Sequence, residues 1–354
     1  MNNLEKYVSL LNDDVDGLLL TSRYSRYYGA EHDIAEGVAL VTRNGCCYYT
    51  DFRYIEDAQN GIRNMQLKMV DRENTYIKLL NADIAAFGVK TLGYEQDYLT
   101  AGELAEYEKK LNAALVPMQE KISGFRAVKE PWELDLMRKA QAIADQAFTE
   151  ILGRIKTGMT EKQLQAELIY CLYKNGGEGL SFDPIVVSGP NTSLPHGVAG
   201  DRVICEGDFV TMDFGVLYKG YCSDMTRTVA VGYATEEMKK VYDTVLQAQL
   251  AGIAATKAGV TGKAVDAAAR KVIEDAGYGE YFGHGYGHSL GLQVHEDPNC
   301  NPKGDTVMQA NMVCSAEPGI YLPGKFGVRI EDVVIFTADG CENITASPKN
   351  LLIV

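Results

Sequence analysis

The first third of the chain alternates short apolar runs with amphipathic ones. Val15–Leu20 is a short apolar run, and residues 37–50 carry two β-rich segments on either side of Asn44-Gly45, the strongest short signal for a two-residue hairpin loop. Thr91–Tyr94 reads as a strand and Thr100–Leu115 as an amphipathic helix. Strands and helices alternating at this spacing predict a small α/β domain.

Beyond Val116-Pro117 the pattern changes. Lys121–Lys129 is polar and interrupted by Gly124, and Glu130-Pro131-Trp132 then opens a long helix, where proline suits the first turn because its missing N–H has no helical partner there. The seam falls near residue 125, giving domains 1–124 and 125–354. In the second, a helix from Pro131 to about Ile155 precedes another that starts at Thr160, where Gln163 completes a capping box, and stops at Gly176-Gly177. Strands follow. The same order recurs, with a helix from Thr235 to about Ala255, a second from Thr261 to Gly277, and glycine-rich strand segments to Phe336. Two helices followed by strands, twice, predict pseudo-symmetric halves that place equivalent loops around one cleft.

A length of 354 residues fits two domains, each able to bury a core. The formal net charge of -14 argues against a phosphate-binding surface, which needs clustered Lys and Arg to release counterions, so no nucleic-acid partner is expected. Residues 1–16 lack the basic flank and apolar run of a signal peptide, and no later run approaches the roughly 18 apolar residues of a membrane span. A cytoplasmic protein with no membrane partner is the expectation. Eight cysteines scattered without a CxxC pair read as reduced core residues, not as a disulfide framework or a zinc site.

The chemistry concentrates in the second domain. If the turn joining Phe209–Gly215 to Tyr221–Thr226 is centred between Tyr218 and Lys219, Asp213 and Asp224 face one another in antiparallel register. Directly opposed residues have Cβ atoms about 4.5–5.5 Å apart, where like charges repel. In the second half a turn centred on Gly324 pairs Glu317 with Glu331 in the same way. One such pair is compatible with a solvated surface, or with neutralisation by Arg227 or Arg329. Four acids at repeated positions in apolar strands call for divalent cations, because burial otherwise drives carboxyl pKa values up.

Four of the five histidines, His196, His284, His288 and His295, fall in the same domain. The run Phe282–Gly291 is too rich in glycine for a stable helix, so an extended strand is expected, with even spacing that puts His284 and His288 on one face. His295 precedes a turn at Glu296-Asp297-Pro298, and His196 lies in the loop sequence Leu194-Pro195-His196-Gly197.

In order and approximate spacing, Asp213, Asp224, His288, Glu317 and Glu331 resemble the five metal ligands of the pita-bread metallopeptidases, a family that includes methionine aminopeptidase, Xaa-Pro aminopeptidase and prolidase. His284-Gly285-Tyr286-Gly287-His288, Val294–Pro298 and Glu317–Tyr321 resemble its proline-directed branch, and Tyr49–Tyr54 resembles the creatinase-type N-terminal domain of that branch. The resemblance spans nearly the whole chain without a departure at these positions. It implies an α+β protein, with a pseudo-symmetric pita-bread catalytic domain preceded by a smaller α/β creatinase-type domain. It also implies that Asp224 and Glu331 bridge two cations, that Asp213 chelates one, and that His288 with Glu317 holds the other. His196, His284, His295 and Arg329 are then expected to line the substrate site. Mn2+ is the expected metal, with Co2+, Zn2+ and Fe2+ as alternatives for a carboxylate-rich site with one histidine.

The reaction so implied is hydrolysis of the bond before proline, in peptides with proline at the second position. Two close cations acidify a water between them to hydroxide near neutral pH and polarise the scissile carbonyl. Glu317 is expected to shuttle the proton to the leaving nitrogen, and His284 or His295 to donate to the oxyanion. His196 and Arg329 are expected to grip substrate or steady the ligand set. A homodimeric Xaa-Pro aminopeptidase is the first reading, and a prolidase restricted to Xaa-Pro dipeptides the alternative. Methionine aminopeptidases generally lack such a first domain, creatinase replaces the metal positions, and non-catalytic peptide-binding modules of this fold typically lose the ligands, so these rank lower.

Overall fold

A computed structural model describes residues 2–354, in two compact units, Met1–Phe125 and Arg126–Val354. No helix among the described residues is long and apolar enough to cross a membrane.

In the first unit a mixed six-stranded sheet runs in the spatial order Gln66–Val70, Cys46–Asp51, Val38–Thr42, Gly17–Leu20, Thr91–Tyr94, Ala114–Pro117. Gly17–Leu20 is buried at every position, which is why it reads as an unbroken apolar run. Asn44-Gly45 closes the hairpin, and Thr42 Oγ1 accepts from both of its N–H groups. The helix expected over residues 100–115 is shorter. Thr100 and Glu103 cap it reciprocally, it ends at Lys110, and Ala114–Pro117 instead runs parallel to Thr91–Tyr94 as an edge strand. Leu111 leaves the helix in an extended conformation to bury its side chain, and the Asn112 N–H donates to Asn81 Oδ1, so the residues beyond find their backbone partners in the sheet.

The second unit builds each half on a helix pair: Pro131–Leu152 with Glu161–Lys174, and Glu236–Ala255 with Gly262–Asp275. Thr160, Thr235 and Thr261 each accept from the backbone N–H three residues on, and Gln163 Oε1 accepts from the Thr160 N–H in return. One apolar core gathers Phe148, Leu168, Val186, Met212 and Val229, and another Val241, Val245, Ile273, Ile330 and Val334. Ile185–Ser188, Phe209–Phe214 and Met225–Ala230 make an antiparallel sheet over the first core. Val313–Ala316, Asp332–Phe336 and Cys341–Asn343 make its counterpart over the second.

The two acid-bearing turns compare differently with expectation. Lys219 (φ 48°) and Gly220 (φ 77°) form the two-residue loop, so the turn is centred between them, one residue later than expected. Asp213 therefore pairs with Thr226, not with Asp224, which lies two positions away on the same face. The ladder breaks at Gly215, where an added Cβ would sit 1.9 Å from Ser223 O, an approach that only glycine permits. In the second half the centre on Gly324 holds. Gly319 pairs with Arg329 and Ala316 with Asp332, so Glu317 and Glu331 share register between two ladders. The strand expected over 282–291 is confined to Gly287–Ser289, leaving His284 outside the ladder.

Candidate metal centre

Both halves send side chains into one cavity of about 380 Å3. All nine residues singled out in the sequence line it: Asp213, Asp224, His288, Glu317 and Glu331 together with His196, His284, His295 and Arg329. Asp224, His288 and Glu331 each offer one atom to a group whose members all lie within 4.8 Å of one another. His288 Nε2 lies 3.3 Å from Glu317 Oε1 and 3.6 Å from Asp224 Oδ2. Its Nδ1 faces Ser289 O at 3.2 Å, which places the proton on Nδ1 and leaves the Nε2 lone pair turned toward the carboxylates. Burial lowers the His288 pKa and so favours that neutral form.

Asp213 is held differently. Its Oδ2 accepts from Arg329, which also donates to Thr226 Oγ1 at 3.1 Å, Tyr321 OH at 3.0 Å and Pro195 O at 3.2 Å. Neutralisation by arginine therefore applies to Asp213. Arg227 goes elsewhere, to Asp332 and the carbonyls of Thr226, Glu331, Ser347 and Pro348. Thr226 Oγ1 donates to Glu331 Oε2 at 2.8 Å.

Burial, reinforced by Asp213 and Glu317, holds the Asp224 carboxyl well above the usual range. Glu331 is raised in the same way, with Asp224 as its main charged neighbour, and burial also raises Glu317. Asp213 Oδ1 and Asp224 Oδ1 are buried without a hydrogen-bond partner. Three carboxyls driven upward, two acceptor oxygens without a hydrogen-bond donor and a histidine nitrogen in lone-pair form make a donor set that fits divalent metal ions.

The other histidines frame this centre. His284 Nδ1 donates to Gly285 O at 2.8 Å, and its Nε2 accepts from Tyr321 OH at 2.9 Å. Burial lowers its pKa, consistent with the neutral ring that this pattern requires. The exposed His295 ring stands edge-on to His288, with centroids 4.3 Å apart. His196 is exposed at the rim. Its loop is anchored by buried Glu161, whose carboxylate accepts from the N–H groups of Ser188 and Gly200, Ser188 Oγ and Asn191 Nδ2. Tyr321, Phe182, Asn299 and Asn301 also line the cavity and were not singled out in the sequence. Tyr321 was detectable, since strand alternation puts residues 317, 319 and 321 on one face.

Fold and site together define a class: a pita-bread hydrolase built around carboxylates and a histidine. Residues 135–338 match the family described as metallopeptidase family M24, and residues 7–128 match the creatinase/prolidase N-terminal domain. The chain is 35% identical over 342 residues to an Xaa-Pro dipeptidase of Pyrococcus horikoshii, covering 96% of this chain and 95% of that protein. Among solved structures, an Xaa-Pro dipeptidase from Bacillus anthracis is 41% identical, with a TM-score of 0.96 and coverage of 99% of both chains. An X-Pro aminopeptidase from Thermotoga maritima is 35% identical, with a TM-score of 0.93 and full coverage of both, 100%. The chain belongs to metallopeptidase family M24, whose peptidases use divalent metal ions.

Proposed function

We propose that this metallopeptidase is an Xaa-Pro dipeptidase working with two divalent cations, Mn2+ in the first instance. The carrying observation is the convergence of Asp213, Asp224, His288, Glu317 and Glu331 on one cavity with buried, partnerless carboxylate oxygens. The dipeptidase reading draws on the names of the Pyrococcus horikoshii and Bacillus anthracis proteins. The aminopeptidase reading, first in order from sequence, becomes the second, supported by the Thermotoga maritima structure. A homodimer remains part of this proposal.

The five residues would hold the metals, whose chemistry when bound is to polarise the scissile carbonyl and to lower the pKa of water. Glu317, whose carboxyl burial already holds up, takes the proton of the attacking water and passes it to the proline nitrogen. Both ring nitrogens of His284 are engaged, so His295 is the group assigned to donate to the developing oxyanion, and His284 with Tyr321 braces Arg329. Arg329, buried and committed to Asp213 and Thr226, steadies the ligand set; His196 at the rim grips substrate.

Hydrolysis of an Xaa-Pro dipeptide, a matched Xaa-Pro-Yaa tripeptide and a Met-Ala-Yaa control by Mn2+-loaded protein tests the reading. Cleavage of the dipeptide alone is the expected outcome. Cleavage of the tripeptide establishes the aminopeptidase, and cleavage of the methionine control alone overturns the preference for proline.

A further inference from the structure

We propose that Asp266 and Arg270 form a positioning pair that replaces a neighbouring strand for residues 282–286 and thereby sets the His284 imidazole in the active-site cavity. The inference rests on the reading in which His284, with Tyr321, braces Arg329 beside the proposed metal ligands. The β-ladder begins only at Gly287, and the segment before it bends at His284 and Tyr286 outside any ladder. Glycines at 283, 285 and 287 give that segment little conformational preference of its own. His284 sits between two of them, and its position must be imposed from outside.

The helix Gly262–Asp275 supplies the constraint. Arg270 Nη1 donates to Phe282 O at 3.0 Å, Arg270 Nη2 to His284 O at 2.7 Å, and the Tyr286 N–H donates to Asp266 Oδ1 at 2.9 Å. Three backbone groups of the segment are therefore met by one side-chain pair, while the Tyr286 carbonyl accepts from the Glu317 N–H at 2.8 Å. The pair is itself locked: Arg270 Nε and Nη2 bind the two oxygens of Asp266 at 2.8 and 2.9 Å, four residues apart on one helix face. The guanidinium also lies 4.2 Å from the centroid of the Phe282 ring, and that ring stands edge-on to His284 at 5.1 Å. Backbone and ring of the segment are both gripped by Arg270. The first half uses an analogous device, since Glu161 at the start of its second helix holds the loop that carries His196.

Arg270→Met removes the donors while keeping a long side chain, and Asp266→Asn removes the charge. In Mn2+-loaded enzyme, with rates normalised to bound metal, Arg270→Met is expected to lower kcat for an Xaa-Pro dipeptide about 10- to 100-fold, close to the effect of His284→Ala, with little change in KM. Added guanidinium ion at low millimolar concentration restores part of the rate to Arg270→Met and none to His284→Ala. Lys271→Gln, on the exposed side of the same helix, leaves kcat unchanged. Hydrogen exchange at the Tyr286 amide accelerates in both Arg270→Met and Asp266→Asn. Wild-type kcat in Arg270→Met beside a crippled His284→Ala overturns the positioning role. If His284→Ala is itself fully active, the reading of His284 fails instead. Unchanged exchange at Tyr286 in both variants overturns the pair as a strand substitute whatever the rates.

Discussion

Glu161→Gln tests how much of the proposed substrate site's geometry depends on a buried carboxylate far in sequence from the proposed metal ligands. Glu161 Oε1 accepts from the Ser188 N–H at 2.7 Å, Ser188 Oγ at 2.9 Å and Asn191 Nδ2 at 3.0 Å, and Oε2 from the Gly200 N–H at 2.9 Å. A glutamine has one acceptor oxygen. Turned toward the three donors, it faces the Gly200 N–H with its own NH2 group, leaving a buried donor unmet at roughly 1–3 kcal/mol. The three remaining bonds lose their charge assistance, worth about 1 kcal/mol each on the same scale. The sum is on the order of 4 kcal/mol. At roughly 2–4 °C per kcal/mol for a domain of this size, the melting temperature falls by about 10 °C. Ser188→Ala, which removes a single hydroxyl from the cluster, should cost about 1 kcal/mol and so much less in melting temperature. Circular dichroism melts of the metal-loaded variants measure both. Because the anchored loop carries His196, Xaa-Pro hydrolysis well below the melt should fall in Glu161→Gln as well. A melting temperature within about 2 °C of wild type, with an unchanged rate, refutes the reasoning.

Two further perturbations follow from the charges around the centre. Burial raises the folded Glu331 pKa above its unfolded value near 4.3, so its contribution to stability is present below that pH and is lost as pH rises through the folded pKa. In chelator, Glu331→Gln should gain melting temperature relative to wild type between pH 5 and pH 8, and with Mn2+ it should lose; equal differences at both pH values in chelator contradict the assignment. Arg227→Met leaves Asp332 to Lys349, Asn343 and Gln249 and takes a donor from four carbonyls, of which that of Thr226 keeps the Glu331 N–H, a loss of about 3–5 kcal/mol that denaturant titration should register; a wild-type midpoint refutes it.

Much of the fold was legible because local signals and burial agreed. Thr160 with Gln163, Thr235 and Thr261 cap helices where the spacing of polar and apolar residues placed them. The Gly324-centred register followed from a glycine that carries φ 72°. At Lys219-Gly220 the centre was missed by one residue, because a lysine in the left-handed region (φ 48°) is not signalled by its residue type, and a one-residue error at a turn displaces opposed residues by two. The edge strand Ala114–Pro117 was hidden because its helix-like continuation from Lys110 is overridden by backbone partners in Thr91–Tyr94. Arg227 and Arg329 were both candidates to neutralise an acidic pair, and only the fold assigns Arg329 to Asp213; nothing in the order of residues signalled that Tyr321 closes on His284 or that Arg270 reaches the carbonyls around His284. Those contacts join positions distant in sequence, and only the folded chain brings them together.

The most direct test of the account is a titration of chelator-stripped protein with Mn2+, read by Xaa-Pro dipeptide hydrolysis. The account predicts no rate without metal and a rate that climbs to a plateau at two equivalents per chain. Hydrolysis that survives removal of the metal, or a protein that takes up Mn2+ and still leaves the Xaa-Pro bond intact, would contradict it.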